Sequence, residues 1–342
     1  MLKLGIIGCG TMGKAHAASA KDSPYVRVTA VCDVFPEAAK SLAEQMNAAA
    51  YTDVQTMLDK EELDAVIIAT PDGLHAEPFI ACCKAKKAIM LEKPFATDPE
   101  DGKRMIAAMK ENGNLVQMAH LFRFLPFYIN MKNAAESGEL GELISSSGTS
   151  IDRIFVPTKM LKWAGKTSPS WFLLSHLIDA ILWIFAEKPV KVRATGIKKK
   201  LVSMGIDTYD VVKAEVTLAS GAVCSFEGNW IYPNSWPIMA GVMMSVTGTE
   251  GTISTNTMDP IMQKGTASEY SIPGILEYEI GGYRVGLRRN MLEAFARTIL
   301  NKTETVAPAE DGYEAMKVLC AIDRSMQEGG RDSAGTGLRV FA

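Results

Sequence analysis

Leu2-Lys3-Leu4-Gly5-Ile6-Ile7-Gly8-Cys9-Gly10-Thr11-Met12-Gly13 opens the chain. A helical stretch from Lys14 to Ala20, an alternating run from Val26 to Cys32 and then Asp33 complete the pattern. Strand, glycine turn, helix, strand and acid, in that order, make a dinucleotide-binding unit. Gly8 permits the tight turn, Gly10 lets the backbone approach a pyrophosphate, and Gly13 lets the helix pack closely on the strand. Thr11 and Met12 lie within this turn as cofactor-binding candidates, and the N-terminus of the helix that follows faces the phosphates with its free N–H groups. Asp33 lies where an acid accepts both ribose hydroxyls of NAD and repels a 2'-phosphate. Val34 and Phe35 bring no cation to hold such a phosphate, so NAD is favoured over NADP.

Outward from this unit the alternation continues. Pro36 to Met46 reads as a helix, Asp53 caps a short one, and Asp64 to Thr70 is a continuous apolar run suited to a strand covered on both faces. His75 opens a further helix, Ala88 to Glu92 makes a strand, Thr97 or Asp98 caps a helix to Asn112, and Leu115 to Ala119 makes another strand. The expected fold here is an α/β Rossmann domain over residues 1–121. Beyond it the strands lengthen and alternate: Leu143 to Ile154, Val190 to Lys198, Val211 to Leu218, Ala222 to Trp230 and Met243 to Ser254. A helix from Pro169 to Ala186 interrupts them, and two helices close the chain. Residues 122–342 are therefore expected to form an α+β domain with a largely antiparallel, open sheet. That sheet offers more apolar surface than its few helices cover, which predicts a homo-oligomer.

The composition excludes several classes of partner. With 342 residues, 36 basic and 39 acidic, there is no basic field for nucleic acid or for an anionic membrane. No apolar run reaches membrane-spanning length, and the first strand begins at once, with no leader pattern. Six cysteines show neither zinc spacing nor a secreted framework, so no metal is expected and the cytoplasm is the expected compartment.

Two polar turns follow predicted strands and so belong at the carboxyl edge of the sheet, where ligands bind: Thr70-Pro71-Asp72-Gly73-Leu74-His75 and Glu92-Lys93-Pro94. Lys93 there can hydrogen-bond a substrate hydroxyl and stabilise developing negative charge on its oxygen. On the helix from Pro169, residues Phe172, His176, Asp179 and Trp183 share one face. His176 has the chemistry to take an alcohol proton, and Asp179 to orient it; a structural His–Asp pair fits the same spacing. Trp163 and Trp230 are candidates for lining a ring pocket, or for sheet core.

Together, Gly8 to Gly13, Thr70 to His75, Glu92-Lys93-Pro94, Arg123-Phe124 and His176-Leu177-Ile178-Asp179 resemble the glucose-fructose oxidoreductase and inositol dehydrogenase family (Gfo/Idh/MocA). Gly248-Thr249-Glu250-Gly251 and Glu310-Asp311-Gly312 are similar to its late motifs. The resemblance implies NAD(P)-linked oxidation or reduction of sugars and cyclitols, and a homodimer or homotetramer through the C-terminal sheet. It makes Lys93 the lysine beside nicotinamide and substrate and His176 the proton-transfer histidine. It places Thr70, Pro71, His75, Glu92 and Arg123 with the glycine turn and Asp33 at the cofactor. Many relatives carry an aspartate where this chain has Phe172, and often asparagine where it has Asp72.

The resulting expectation is an NAD-dependent oxidoreductase acting on a secondary alcohol of a sugar, glycoside or cyclitol held in an interdomain cleft. Two alternatives stay open. One is an enzyme with tightly bound NAD that uses a transient ketone for elimination, hydrolysis or epimerisation. The other is a regulator that binds NAD without turnover.

Overall fold

A strand buried on both faces needs helices above and below it, and the first 121 residues supply one between every two successive strands. The elements are β1 (Leu2–Ile7), α1 (Thr11–Ala20), β2 (Val26–Cys32), α2 (Pro36–Met46), β3 (Ala49–Tyr51), α3 (Val54–Lys60), β4 (Ala65–Ile68), α4 (Ala76–Lys84), β5 (Ala88–Leu91), α5 (Pro99–Asn112) and β6 (Val116–Met118). All the strands are parallel, in the order β3-β2-β1-β4-β5-β6. The order reverses between β1 and β4, which opens a crevice at their carboxyl ends. Asp53 caps α3 by accepting from the Thr56 N–H, and Asp98, rather than Thr97, caps α5 by accepting from Glu100 and Asp101. The computed structural model describes residues 1–259, 263–265, 270–271, 276–281 and 283–330.

The elements that follow are α6 (Pro126–Glu136), β7 (Leu143–Arg153), α7 (Ser175–Phe185), β8 (Pro189–Ile197), α8 (Lys200–Ser203), β9 (Val211–Leu218), β10 (Val223–Tyr232), β11 (Ala240–Gly248) and β12 (Thr252–Asn256). The sheet order is β12-β11-β7-β10-β9-β8, antiparallel throughout except for the parallel pair β7 and β10. The expected single strand from Met243 to Ser254 is in fact a hairpin, turned where the Gly248 N–H reaches the Gly251 carbonyl at 2.8 Å. The expected helix from Pro169 is not uniform either. It starts as a π-helical turn, Ser170–Leu174, and only then becomes α7.

One face of this sheet is covered by α7 and the turn before it, where Leu177 lies on Gly148 and Leu174 on Gly228. The other face is open and mixed in character, with Ile197, Val223 and Met243 exposed on it. It exposes Ser147, Arg193, Lys213, Glu215 and Ser225, and Lys213 pairs with Glu227 across strands at 2.9 Å. Further exposed apolar side chains lie near the sheet's end, at Phe155, Trp236 and Met239.

Two helices close the described chain, α9 (Leu287–Asn301) and α10 (Ala309–Gln327). The described residues divide into one unit within Met1–Leu125 and Gly274–Met316 and a second within Pro126–Pro273 and Lys317–Ala342, so the division falls inside α10. The sequence reading places everything past residue 121 in the second domain, whereas α9 packs in the first unit. Its Met291, Leu292, Phe295 and Ala296 enter the core of Leu4, Ile6, Val28 and Val31. Arg289 donates to the Asp22 carbonyl and Arg297 to the Tyr25 hydroxyl. Residues 331–342 lie outside the described residues. No described helix is long and apolar enough to cross a membrane.

Candidate active site

The glycine turn is built for close approach. Gly8 has φ +93°, and a Cβ there would stand 2.5 Å from the Ala69 carbonyl oxygen; at Gly13 it would stand 1.9 Å from the Gly8 carbonyl oxygen. At Gly10 it would meet nothing within 4 Å, so the missing side chain leaves room above the N-terminus of α1. The first turn of α1 carries no acid and no side-chain cap, and its N–H groups are left for an anion such as a pyrophosphate. Asp33 is held beside this turn. Its Oδ2 accepts from the Cys9 N–H at 2.7 Å and its Oδ1 from the Phe35 N–H at 2.9 Å. Each carboxylate oxygen has a second lone pair, so the two bonds orient the group and still leave it able to accept ribose hydroxyls.

The turns after β4 and β5 are locked to each other by buried side chains. Thr70 donates its hydroxyl to the Leu74 carbonyl at 3.1 Å, closing the short 3-10 turn Asp72–Leu74. His75 is buried, with Nδ1 2.8 Å from the Pro94 carbonyl oxygen and Nε2 3.1 Å from that of Thr70. His75 thus links the two turns to each other. Glu92 is engaged within the fold as well. Its Oε1 lies 2.8 Å from His16 Nε2, both groups being buried, and its Oε2 accepts from the Lys93 N–H at 3.2 Å. Burial pushes the Glu92 carboxyl up, but the His16 hydrogen bond and the charges of His16, Lys93 and Arg288 outweigh it and hold the group below the usual carboxylate range. Lys93, half-buried, stands between these two fastenings, and the Lys93–Pro94 peptide bond is cis. Thr70 and exposed Pro71 stay at the sheet edge.

Arg123 is likewise engaged within the fold. It is buried, with Nη1 donating to Asp311 at 2.7 Å and to the Val306 carbonyl at 3.1 Å, which ties the turn after β6 to the start of α10. His16 is the residue that sequence reasoning missed. A histidine three positions after Gly13 gave the signal, but its acid partner is 76 residues away.

In the second unit His176 is half-buried in the first turn of α7, and Asp179 is buried three residues later. Leu177 faces the sheet, so His176 lies about 100° around the helix from that contact. The π-helical turn carries Phe172 into an aromatic wall, with its ring 6.3 Å from Trp163 and 6.1 Å from Trp230. Trp230 is fully buried, and its Nε1 donates to the Tyr209 carbonyl at 2.7 Å. It is core, not a pocket wall, which removes it from the substrate candidates. Trp163 and Phe172 stay half-buried around it. Among the described residues no group of three His, Cys, Asp or Glu is placed to hold a metal.

Comparison with known proteins matches both parts of the chain. Residues 2–120 match "Oxidoreductase family, NAD-binding Rossmann fold", and residues 132–332 match its C-terminal alpha/beta domain. Similar curated proteins include the inositol 2-dehydrogenase of Rhizobium meliloti (strain 1021). It is 26% identical over 333 residues, 96% of this chain and 97% of that protein. Among solved structures, myo-inositol 2-dehydrogenase from Lactobacillus plantarum aligns with a TM-score of 0.81 at 19% identity, covering 96% of this chain and 98% of that one. The scyllo-inositol dehydrogenase from Lactobacillus casei with bound cofactor NAD(H) and scyllo-inositol aligns at 0.79 and 20% identity, covering 96% and 98%. At these identities the structural likenesses speak for the fold.

Proposed function

The chain belongs to the Gfo/Idh/MocA oxidoreductase family, and from that premise we propose that it oxidises a secondary alcohol of a cyclitol or a closely related sugar with NAD. The observation that carries this reading is the end of β5. There the fastenings on Glu92 and on the Pro94 carbonyl fix the backbone on either side of Lys93 and present that lysine at the carboxyl edge of an NAD-binding sheet. The full-length similarity to inositol 2-dehydrogenases supports a cyclitol as the substrate class.

In this reading Lys93 donates a hydrogen bond to the substrate oxygen and stabilises the negative charge that grows there as the proton leaves. His176 takes that proton, and Asp179 on the same helix steadies it. Bound NAD supplies the hydride acceptor. The cradle at Gly10 and the carboxylate of Asp33 would hold its pyrophosphate and adenosine ribose, while the turn of Thr70 and Pro71 would border the other half. Trp163 and Phe172 supply an apolar wall for the ring carbons of the substrate.

The test is a panel of inositols, hexoses and glycosides with NAD, read by nicotinamide absorbance and by product mass. Net NADH formation with a cyclitol is the expected result. Conversion without net NADH would indicate the transient-ketone chemistry, and no conversion of any kind would sink the dehydrogenase reading. Lys93→Ala and His176→Ala should each lower turnover by ~10²- to 10⁴-fold with NAD affinity nearly unchanged. A purely structural His176 would instead lower the melting temperature and leave turnover of the folded protein intact.

Self-association through the open sheet face belongs to the same proposal. With Ile197, Val223 and Met243 exposed among Ser147, Arg193, Lys213, Glu215 and Ser225 on that face, the contact would bury apolar side chains as well as charged ones, and light scattering should show an oligomer at micromolar concentration. Five of the six cysteines are buried, and their spacing fits no secreted framework, which supports the cytoplasm as the compartment.

A further inference from the structure

Asp72 sits in the turn after β4 and is only 9% exposed. Its Oδ2 is buried with no hydrogen-bond partner. The neighbouring polar groups are already committed: both nitrogens of His75 to carbonyl oxygens, and the two oxygens of Glu92 to His16 and to the Lys93 N–H. A buried carboxylate oxygen without a donor is costly, and its persistence marks a place where a bound molecule completes the site. The sheet order says which molecule that is. Asp33 lies beyond β1 on the β2 side, where the adenosine half of a dinucleotide is held. Asp72 lies on the opposite side, after β4, toward the nicotinamide half.

The two redox forms of that half differ by one charge: the oxidised ring is cationic and the reduced ring is neutral. We propose that Asp72 places a negative charge beside the nicotinamide and so makes the site hold NAD⁺ in preference to NADH. The inference rests on the NAD assignment above and goes beyond it. The charged groups facing Asp72 are Lys93 and Glu92 from the end of β5 and His75 from its own turn. Burial pushes the carboxyl up, Lys93 and His75 pull it back, and Glu92 adds to the rise; a cationic ring would be a further charge favouring the ionised form. A site weighted in this way favours the oxidised cofactor at rest and releases the reduced one after hydride transfer.

The experiment is calorimetric titration of the full-length protein with NAD⁺, NADH and ADP, the last probing the adenylate half alone. Asp72→Asn keeps the shape and removes the charge. The ratio of the NADH Kd to the NAD⁺ Kd should fall on the order of tenfold in this variant, mainly through weaker NAD⁺ binding, with ADP binding unchanged. If Asp72→Asn loses ADP binding as well, Asp72→Ser removes the same charge and should show the same fall. An unchanged ratio in a variant that still binds ADP overturns the proposal while leaving the dehydrogenase reading standing. Failure of the unmodified protein to bind NAD⁺ would overturn both.

Discussion

Asp72 and Glu92 follow neighbouring strands of one sheet, β4 and β5, and both are buried, yet their surroundings push them in opposite directions. Glu92 has a partner for each oxygen and ends below the usual carboxylate range; Asp72 has an oxygen to spare and ends above it. The difference separates two uses of a buried acid. One is spent inside the fold, anchoring α1 to the end of β5 through His16, and the other is left incomplete where a ligand belongs. A site residue is thus recognised less by being buried and charged than by what its surroundings fail to satisfy.

The sharpest way to break the comparison is to take away the partner of Glu92. His16→Ala leaves that carboxylate buried without its imidazole, and the expected loss is about 3–5 kcal/mol in chemical denaturation. A loss under about 1 kcal/mol would mean that Lys93 and Arg288 alone keep Glu92 satisfied.

A second test uses pH. Because the folded form holds the Glu92 carboxyl below its ordinary value, its contribution is present above that value and fades as pH falls through the folded one. Asp72 runs the other way: its carboxyl is raised in the fold, so its contribution is present at low pH and is lost as pH rises through the folded value. Melting curves should therefore show the gap between the unmodified protein and Glu92→Gln closing on acidification. The gap to Asp72→Asn should open in the variant's favour toward neutral pH. Parallel curves for both variants would dissolve the distinction.

The smallest expected effect is on overall stability at neutral pH. Asp72→Asn should raise the melting temperature slightly, by an amount equivalent to about 1 kcal/mol or less, since it removes a buried charge that the protein does not fully pair. A fall of several degrees would show that Asp72 holds the turn together and is not reserved for a ligand.

Much of this was legible in the sequence where the signal is local. Val26 to Cys32 and Pro36 to Met46 have the same bounds as β2 and α2, because an apolar run or stripe bounded by turn residues depends on nothing distant. The strand Ala49–Tyr51 escaped, being three residues without a clear pattern, and so did the π-helical turn before α7, whose extra residue hides within ordinary helical spacing. The NAD-binding character was readable from Gly8 to Asp33. The roles of His75, Glu92 and Arg123 were not, since each is set by a group far along the chain: the Pro94 carbonyl, His16 and Asp311. Residue type and strand-end position show which side chains reach the carboxyl edge. Only packing shows which of them are already engaged.

Cys9, inside the glycine turn, has a use of its own for the experimenter. Its thiol is buried against the Cys32 carbonyl, and burial first, then the charges of Asp33 and Cys32, pushes its pKa up to about 12. Alkylating reagents attack the thiolate, so this residue stays silent while the turn is closed and reacts only when it breathes. Labelling at Cys9, followed by peptide mass over time, becomes a clock for the opening of the turn. NAD, by holding the turn shut, should slow that clock.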